Sequence, residues 1–113
     1  MTLFYPEDAS VLNKVYERVL EFGPDWRCSV TEITGEIYPA WLPEKRRQIS
    51  AYLEAVRAEI EDFCWRRYDG QQPENNRTLA QDCRQMIREK FGWMEEKNVV
   101  RSVTQAMYYA WHG

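Results

Sequence analysis

Histidine is almost missing from this 113-residue chain, which has only His112. A zinc site built on imidazoles, or a Ser-His-Asp triad, therefore has almost no material. Cysteine is scarce and odd in number, at Cys28, Cys64 and Cys83, with no C-x-x-C pair. Widely spaced thiols of this kind read as buried side chains in a reducing compartment, so a cytoplasmic protein with no metal is expected. Long hydrophobic runs are missing too, because proline, glycine and charges interrupt every apolar stretch well short of the roughly 18 residues that a membrane span needs. The first 25 residues hold no apolar segment of the signal-peptide kind, and neither secretion nor membrane insertion is expected. Neither G-x-x-x-x-G-K-[ST] nor G-x-G-x-x-G occurs, so no cradle of backbone amides for a nucleotide phosphate is encoded and no cofactor is expected. A basic excess is the last absence. Lys and Arg number 15 against 18 Asp and Glu, for a net charge of -3. Residues 1–42 carry most of the imbalance, with seven acidic side chains against three basic. A nucleic-acid reader of this composition would have to rely on a local patch.

What is present is enough apolar mass for one core: 44% hydrophobic and 14% aromatic residues, in a chain of single-domain size. The patterning is helical throughout. Leu12, Val15, Tyr16, Val19 and Leu20 recur at three- and four-residue steps within Pro6 to Phe22, with Pro6 at a first-turn position, Glu7 and Asp8 at the positive end of the dipole and Gly23-Pro24 as the stop. Ser29-Val30-Thr31-Glu32 is a capping box opening a two-turn helix that carries Ile33 and Ile37 and ends at Pro39. From Pro43 a long helix is predicted to reach Trp65 or beyond, on the stripe Ile49, Tyr52, Leu53, Val56, Ile60, Phe63 and Cys64. Residues 69–76 read as a polar connection and the most flexible segment. A fourth helix is predicted over Thr78 to Phe91, with Leu79, Cys83, Met86, Ile87 and Phe91 apolar and Gly92 as an end or kink. The fifth runs from about Glu95 to Trp111 with Val99, Val100, Val103, Met107 and Ala110 inward. No strand-like alternation and no internal repeat occurs. The expected fold is an all-α, compact single domain of four to five helices.

Catalytic candidates are few. Glu59, Glu61 and Asp62 could share a helix surface as acid-base groups, but with Arg57 and Arg66 interspersed they read as a solvated face. Cys64 served by His112 would be a nucleophile pair, yet Cys64 lies on the apolar stripe, where an inert core thiol is expected. The chain is therefore read as non-enzymatic.

One constellation carries a mechanism. A helix at 9–22, a turn with Gly23, a short capped helix at 30–38 and a helix from 43 reading Lys45-Arg46-Arg47-Gln48-Ile49-Ser50-Ala51-Tyr52-Leu53 follow in order. Over residues 9–58 this resembles the helix-turn-helix of winged-helix DNA-binding domains. The resemblance implies that Lys45, Arg46, Arg47 and Ser50 face the major groove while Ile49, Leu53 and Val56 pack inward, and that Ser29 and Thr31 sit near a phosphate. It divides the domain into a helix-turn-helix-like half at 9–68, a loop at 69–76 and a C-terminal helical pair at 77–113. Tyr38 to Leu42 is long for the tight turn of that family, and no alternating strand pair follows as a wing.

The aromatic content points to a different partner. Of the five tryptophans, Trp26 and Trp41 lie beside prolines in connections, and Tyr108-Tyr109-Ala110-Trp111 comes near the end of the sequence. Trp26, Trp41, Tyr109 and Trp111 are candidate anchors of a protein interface, or else caps on the ends of a bundle. Two readings follow: a helix-turn-helix DNA-binding regulator, or a small acidic protein-binding module such as an inhibitor, immunity factor or adaptor. The expected partner is DNA or a protein, with a homodimer compatible with either and no membrane involved.

Overall fold

The computed structural model describes residues 9–21, 30–72 and 74–112, with the side chains of Thr31 and His112 excepted. Five helices follow in order: α1 (Ala9–Glu21), α2 (Val30–Ile37), α3 (Pro43–Arg67), α4 (Asn75–Lys90) and α5 (Glu96–His112), with no strand among the described residues. The chain is an all-α single domain, as its periodicity predicts. The expectations placed on Pro6, Gly23-Pro24, Trp26, Cys28 and the Ser29 half of the capping box lie outside the described residues.

The cross-links between helices fix their directions. Asn98 on α5 meets Asn13 and Gln105 meets the Leu20 carbonyl at 2.7 Å, so α1 and α5 run parallel. Ser50 meets Thr34, and the Arg46 guanidinium reaches Gly35, so α2 returns antiparallel along the start of α3. Lys90 pairs with Glu59 and Cys83 meets Cys64, so α4 is antiparallel to α3. Helix α3, at 25 residues, extends about 37 Å within a domain 48 Å long. It is the spine on which the other four pack.

Local sequence explains where α3 starts and stops. Pro43 occupies its first turn, Leu42 ahead of it is extended, and the Arg46 N–H donates to the Leu42 carbonyl at 3.1 Å. At the far end Tyr68 is extended, and Asp69 organises the connection. Its carboxylate accepts from the Gln71 and Gln72 N–H groups and from the Asn75 amide, which holds that carboxyl below the ordinary aspartate range. Asn76 in turn exchanges two 2.9 Å hydrogen bonds with the Asp69 backbone. The segment expected to be a loop through residue 76 is thus shorter, and α4 opens at Asn75 instead of Thr78, because the Asn75 amide binds the Asp69 carboxylate and the Asn76 side chain satisfies the Asp69 backbone.

The core contains the predicted stripe of Ile49, Leu53, Val56, Ile60 and Cys64, packed on Leu12, Val15, Tyr16, Val19, Leu20 and Ile33 from α1 and α2, and on Cys83, Ile87, Val99 and Val103 from α4 and α5. One inward assignment on α5 is corrected. Val100 is 46% exposed, while Ser102 and Ala106 are buried in its place. The stripe is rotated because Ser102 can enter the core by donating to the Asn98 carbonyl at 2.6 Å.

Buried amides knit the bundle across its length. The Asn13 side chain donates to the carbonyls of Ala9 and Trp93, at 2.9 and 2.7 Å, and accepts from the Glu95 N–H and the Asn98 amide, at 2.8 and 3.1 Å. Tyr16 is buried beside it with the Trp93 ring set edge-on at 6.3 Å. Burial pushes the Tyr16 phenol up to about 12, with Ser102 and Arg57 opposing the shift.

Candidate functional site

Among the described residues, no helix covers the face of α3 next to its core stripe. Spacing dictates which residues share it: Glu44, Arg47, Gln48, Ala51, Tyr52, Ala55, Val56 and Glu59 follow three- and four-residue steps, and with Phe91 from the end of α4 they line a groove of about 500 Å³. Ala51 and Ala55, one turn apart, are exposed on its floor, whereas Val56 and Phe91 are buried against the core. Tyr52 forms part of the wall and is fixed from behind, since the Trp93 indole N–H donates to its hydroxyl oxygen at 2.8 Å. The polar groups sit at the two ends. Glu44 and Arg47 are exposed at one end; at the other, Glu59 is held by Lys90.

Phe91 reaches the groove because α4 terminates there. Its N–H closes on the Ile87 carbonyl at 2.6 Å, its backbone leaves the helical region, and the chain turns at Gly92 close to the Arg88 carbonyl. A Cβ at Gly92 would lie 3.5 Å from that oxygen, an ordinary contact. The Met94 N–H donates back to Phe91 at 2.9 Å, and the turn runs into α5. The wall and the floor of the groove therefore come from rigid elements.

The basic triplet expected to act together is split three ways. Successive helical residues point about 100° apart. The Lys45 ammonium lies over the Trp41 ring, 4.5 Å from its centroid. The half-buried Arg46 reaches back to α2, with Nη1 3.7 Å from where a Gly35 Cβ would stand. Arg47 alone lines the groove. Ser50 requires a correction: expected to face a DNA groove, it is 3% exposed and donates to Thr34 Oγ1 at 3.2 Å, itself bonded to the Val30 carbonyl. The reason is steric and polar at once, since Ser50 lies where α2 crosses α3 and finds there the acceptor a buried hydroxyl needs. The Thr31 side chain and all of Ser29 lie outside the described residues.

The aromatic candidates are likewise dispersed. Trp41 is half-buried and stacked on Tyr38 at 3.9 Å with near-parallel rings, and Lys14 approaches the Tyr38 ring at 5.6 Å. Tyr109 is half-buried and Trp111 is 66% exposed on the last turns of α5, with Tyr108 set edge-on to both. Because α5 runs parallel to α3, this group lies at the opposite end of the bundle from Trp41. Trp26 is outside the described residues. Trp65, which the sequence placed on a helix end without a role, is one of the most exposed large apolar side chains.

Two of the three carboxylates considered for acid-base chemistry, Glu59 and Asp62, are engaged in surface ion pairs. Glu59 meets Lys90, and Asp62 meets Arg66 at 3.0 Å. Cys64 is completely buried and contacts Cys83; its pairing with His112 falls outside the described side chains. Among the described residues no group of three or more His, Cys, Asp or Glu could hold a metal ion, and no helix is long and apolar enough to cross a membrane.

Sequence reasoning missed Ala51, Ala55 and Phe91 as site residues. A signal was available. Along α3 the residues Ala51, Tyr52, Ala55 and Val56 widen the apolar arc beyond the Ile49–Leu53–Ile60 stripe, more circumference than one-sided core packing requires. Compared with known proteins, the chain matches no family model, no curated protein and no solved structure.

Proposed function

We propose that the protein is a non-enzymatic, protein-binding module of the reducing cytoplasm, and that it receives an amphipathic helix of a partner protein in the groove along α3. The observation that carries this reading is the strip of Ala51, Tyr52, Ala55, Val56 and Phe91, left without a covering helix among the described residues. Its shape favours a helix over a small molecule. From Glu44 to Glu59 the lining runs about 22 Å, or four turns, and Ala51 and Ala55 are small enough for two helix backbones to approach closely along the floor. Its charge favours a partner helix with ions of both signs flanking a narrow apolar stripe. Glu44 and Arg47 offer both signs at one end, and Glu59 with Lys90 offers both signs at the other. Rim charges of this kind set register and specificity more than affinity.

A helix-turn-helix reading of α2 and α3 is the second possibility, favoured by one observation: Lys45 and Arg47 are exposed on the first turn of α3, the part that would enter a DNA groove. The division of Lys45, Arg46 and Arg47 among three directions and the burial of Ser50 give it less support than the groove has.

The test is a display selection of 16-residue peptides on the wild-type protein, followed by titration of the selected peptides into Ala55→Glu. The account expects selected peptides that become helical on binding and lose at least tenfold in affinity on Ala55→Glu, with unchanged circular dichroism of the protein. Binders that are indifferent to Ala55→Glu would remove the groove from the function.

A further inference from the structure

Two cysteines that are 19 positions apart in sequence meet in the core. Cys64 lies on the last turn of α3 and Cys83 midway along α4; both are completely buried, both are free thiols, and the Cys64 thiol donates to Cys83 Sγ at 3.5 Å. We propose that Cys64 and Cys83 form an oxidisable dithiol, a modification site that a hydroperoxide converts into a disulfide stapling α3 to α4.

The geometry leaves little to be moved. A disulfide needs its sulfurs about 2 Å apart, so these must close by about 1.5 Å. The helices are antiparallel neighbours and face each other at this level. Arg84, whose cation bears on Cys83 and not on Cys64, assigns the roles. Accepting from Cys64 holds the Cys83 thiol below its ordinary range, with the Arg84 and Arg67 cations acting the same way and burial opposing, whereas donating pushes Cys64 up. Cys83 is then the attacking sulfur and Cys64 the resolving one. A peroxide is the oxidant suited to the site, because it is little larger than water, while a glutathione adduct could not be housed where both sulfurs are fully buried.

The chemistry balances in two steps. The Cys83 thiolate attacks one oxygen of hydrogen peroxide, the O–O bond breaks, and the departing hydroxide takes up a proton as water, leaving Cys83 as the sulfenic acid. The Cys64 sulfur then attacks Cys83 Sγ, forming the S–S bond and breaking the S–O bond. The leaving hydroxide takes the Cys64 proton as a second water. Two thiols and one peroxide give a disulfide and two waters, the peroxide gaining the two electrons that the sulfurs lose. The resulting bond encloses residues 65–82, including the whole connection between α3 and α4, and restricts the unfolded chain accordingly. Because both sulfurs are fully buried, the peroxide reaches them through local opening of the bundle.

The experiment treats the folded, full-length Cys28→Ser protein with hydrogen peroxide and reads intact mass, a non-reducing peptide map and the thermal midpoint. The expected result is the loss of two hydrogens, a peptide joining Cys64 to Cys83, and a midpoint raised by about 10 °C, all reversed by dithiothreitol. In Cys64→Ser/Cys28→Ser the sulfenic acid at Cys83 should persist, read as the gain of one oxygen in the intact mass and captured by dimedone once the treated protein is unfolded. The same link is sought by peptide map in the wild type, so a folding defect in either variant does not obscure the answer. Both thiols still titratable after peroxide treatment and unfolding, oxidation of Cys83 to the sulfinic acid with Cys64 left free, or a link that forms only in urea would each overturn the proposal.

Discussion

Replacing Asn13 probes how α1 is fastened to the turn between α4 and α5. Its side chain makes four hydrogen bonds to three stretches of chain: the Ala9 carbonyl, the Trp93 carbonyl, the Glu95 N–H and the Asn98 amide. Asn13→Ala removes all four and leaves the Glu95 N–H and the Trp93 carbonyl without these partners, while the Asn98 amide keeps its 3.3 Å bond to the Asn13 carbonyl. At about 1 kcal/mol net per bond, with a further penalty for any group left dry, the loss is about 3–4 kcal/mol. Asn13→Asp separates the donors from the acceptors. It keeps an acceptor for Glu95 and Asn98 but sets a carboxylate oxygen against the Ala9 and Trp93 carbonyls. Burial and that repulsion raise the pKa of the new aspartate in the folded state. The sign follows: the folded state holds its proton where the unfolded state has lost it, so stability falls as pH rises above about 4 and levels off once the folded-state pKa is passed. Urea denaturation followed by circular dichroism at acidic and neutral pH measures both variants. A cost below about 0.5 kcal/mol for Asn13→Ala, or a pH-independent Asn13→Asp, would refute the reasoning.

The remaining predictions concern the core and its titration. Leu53 is completely buried at the centre of α3, so Leu53→Ala should cost about 2–5 kcal/mol in urea denaturation through lost burial and a cavity; a cost under half a kcal/mol would mean that the stripe is not core. Tyr16, with its phenol raised to about 12 from 10.0, contributes stability that is fully present below pH 10 and is lost as pH rises towards 12, because the unfolded tyrosine ionises first. The alkaline decline should be up to about 2–3 kcal/mol and should be missing from Tyr16→Phe; identical alkaline profiles for the two proteins would contradict it.

Periodicity, with capping and proline signals for α2, located all five helices, and the reason lies in the apolar stripes. Ile49, Leu53, Val56, Ile60 and Cys64 repeat at helical spacing and are buried together. What periodicity could not reveal is polar residues that enter the core by finding distant partners. Ser50 needs Thr34, Asn13 needs Asn98, and Ser102 needs the Asn98 carbonyl. Each looks like a surface residue until the helices are placed, so the helix-turn-helix resemblance turns Ser50 towards DNA and the periodicity turns Val100 inward. The opening of α4 at Asn75 was hidden in the same way, because Asn75 and Asn76 read as turn residues until Asp69 is seen to bind them. The groove was half legible. Ala51 and Ala55 share a face with Tyr52 in the sequence, but only the end of α4 at Phe91 turns that face into a concavity.

The central claim is that α3 serves its partner through the groove and not through its basic first turn. It is tested most directly by titrating one selected helical peptide and one labelled DNA duplex, at physiological salt, into three proteins: the wild type, Ala55→Glu, and Arg46→Ala/Arg47→Ala. The account predicts that the peptide binds the wild type and loses at least tenfold in affinity on Ala55→Glu, while the duplex binds no better than an acidic control. Specific duplex binding by the wild type that weakens, with a flatter salt dependence, on Arg46→Ala/Arg47→Ala, together with peptide binding that ignores Ala55→Glu, would contradict it.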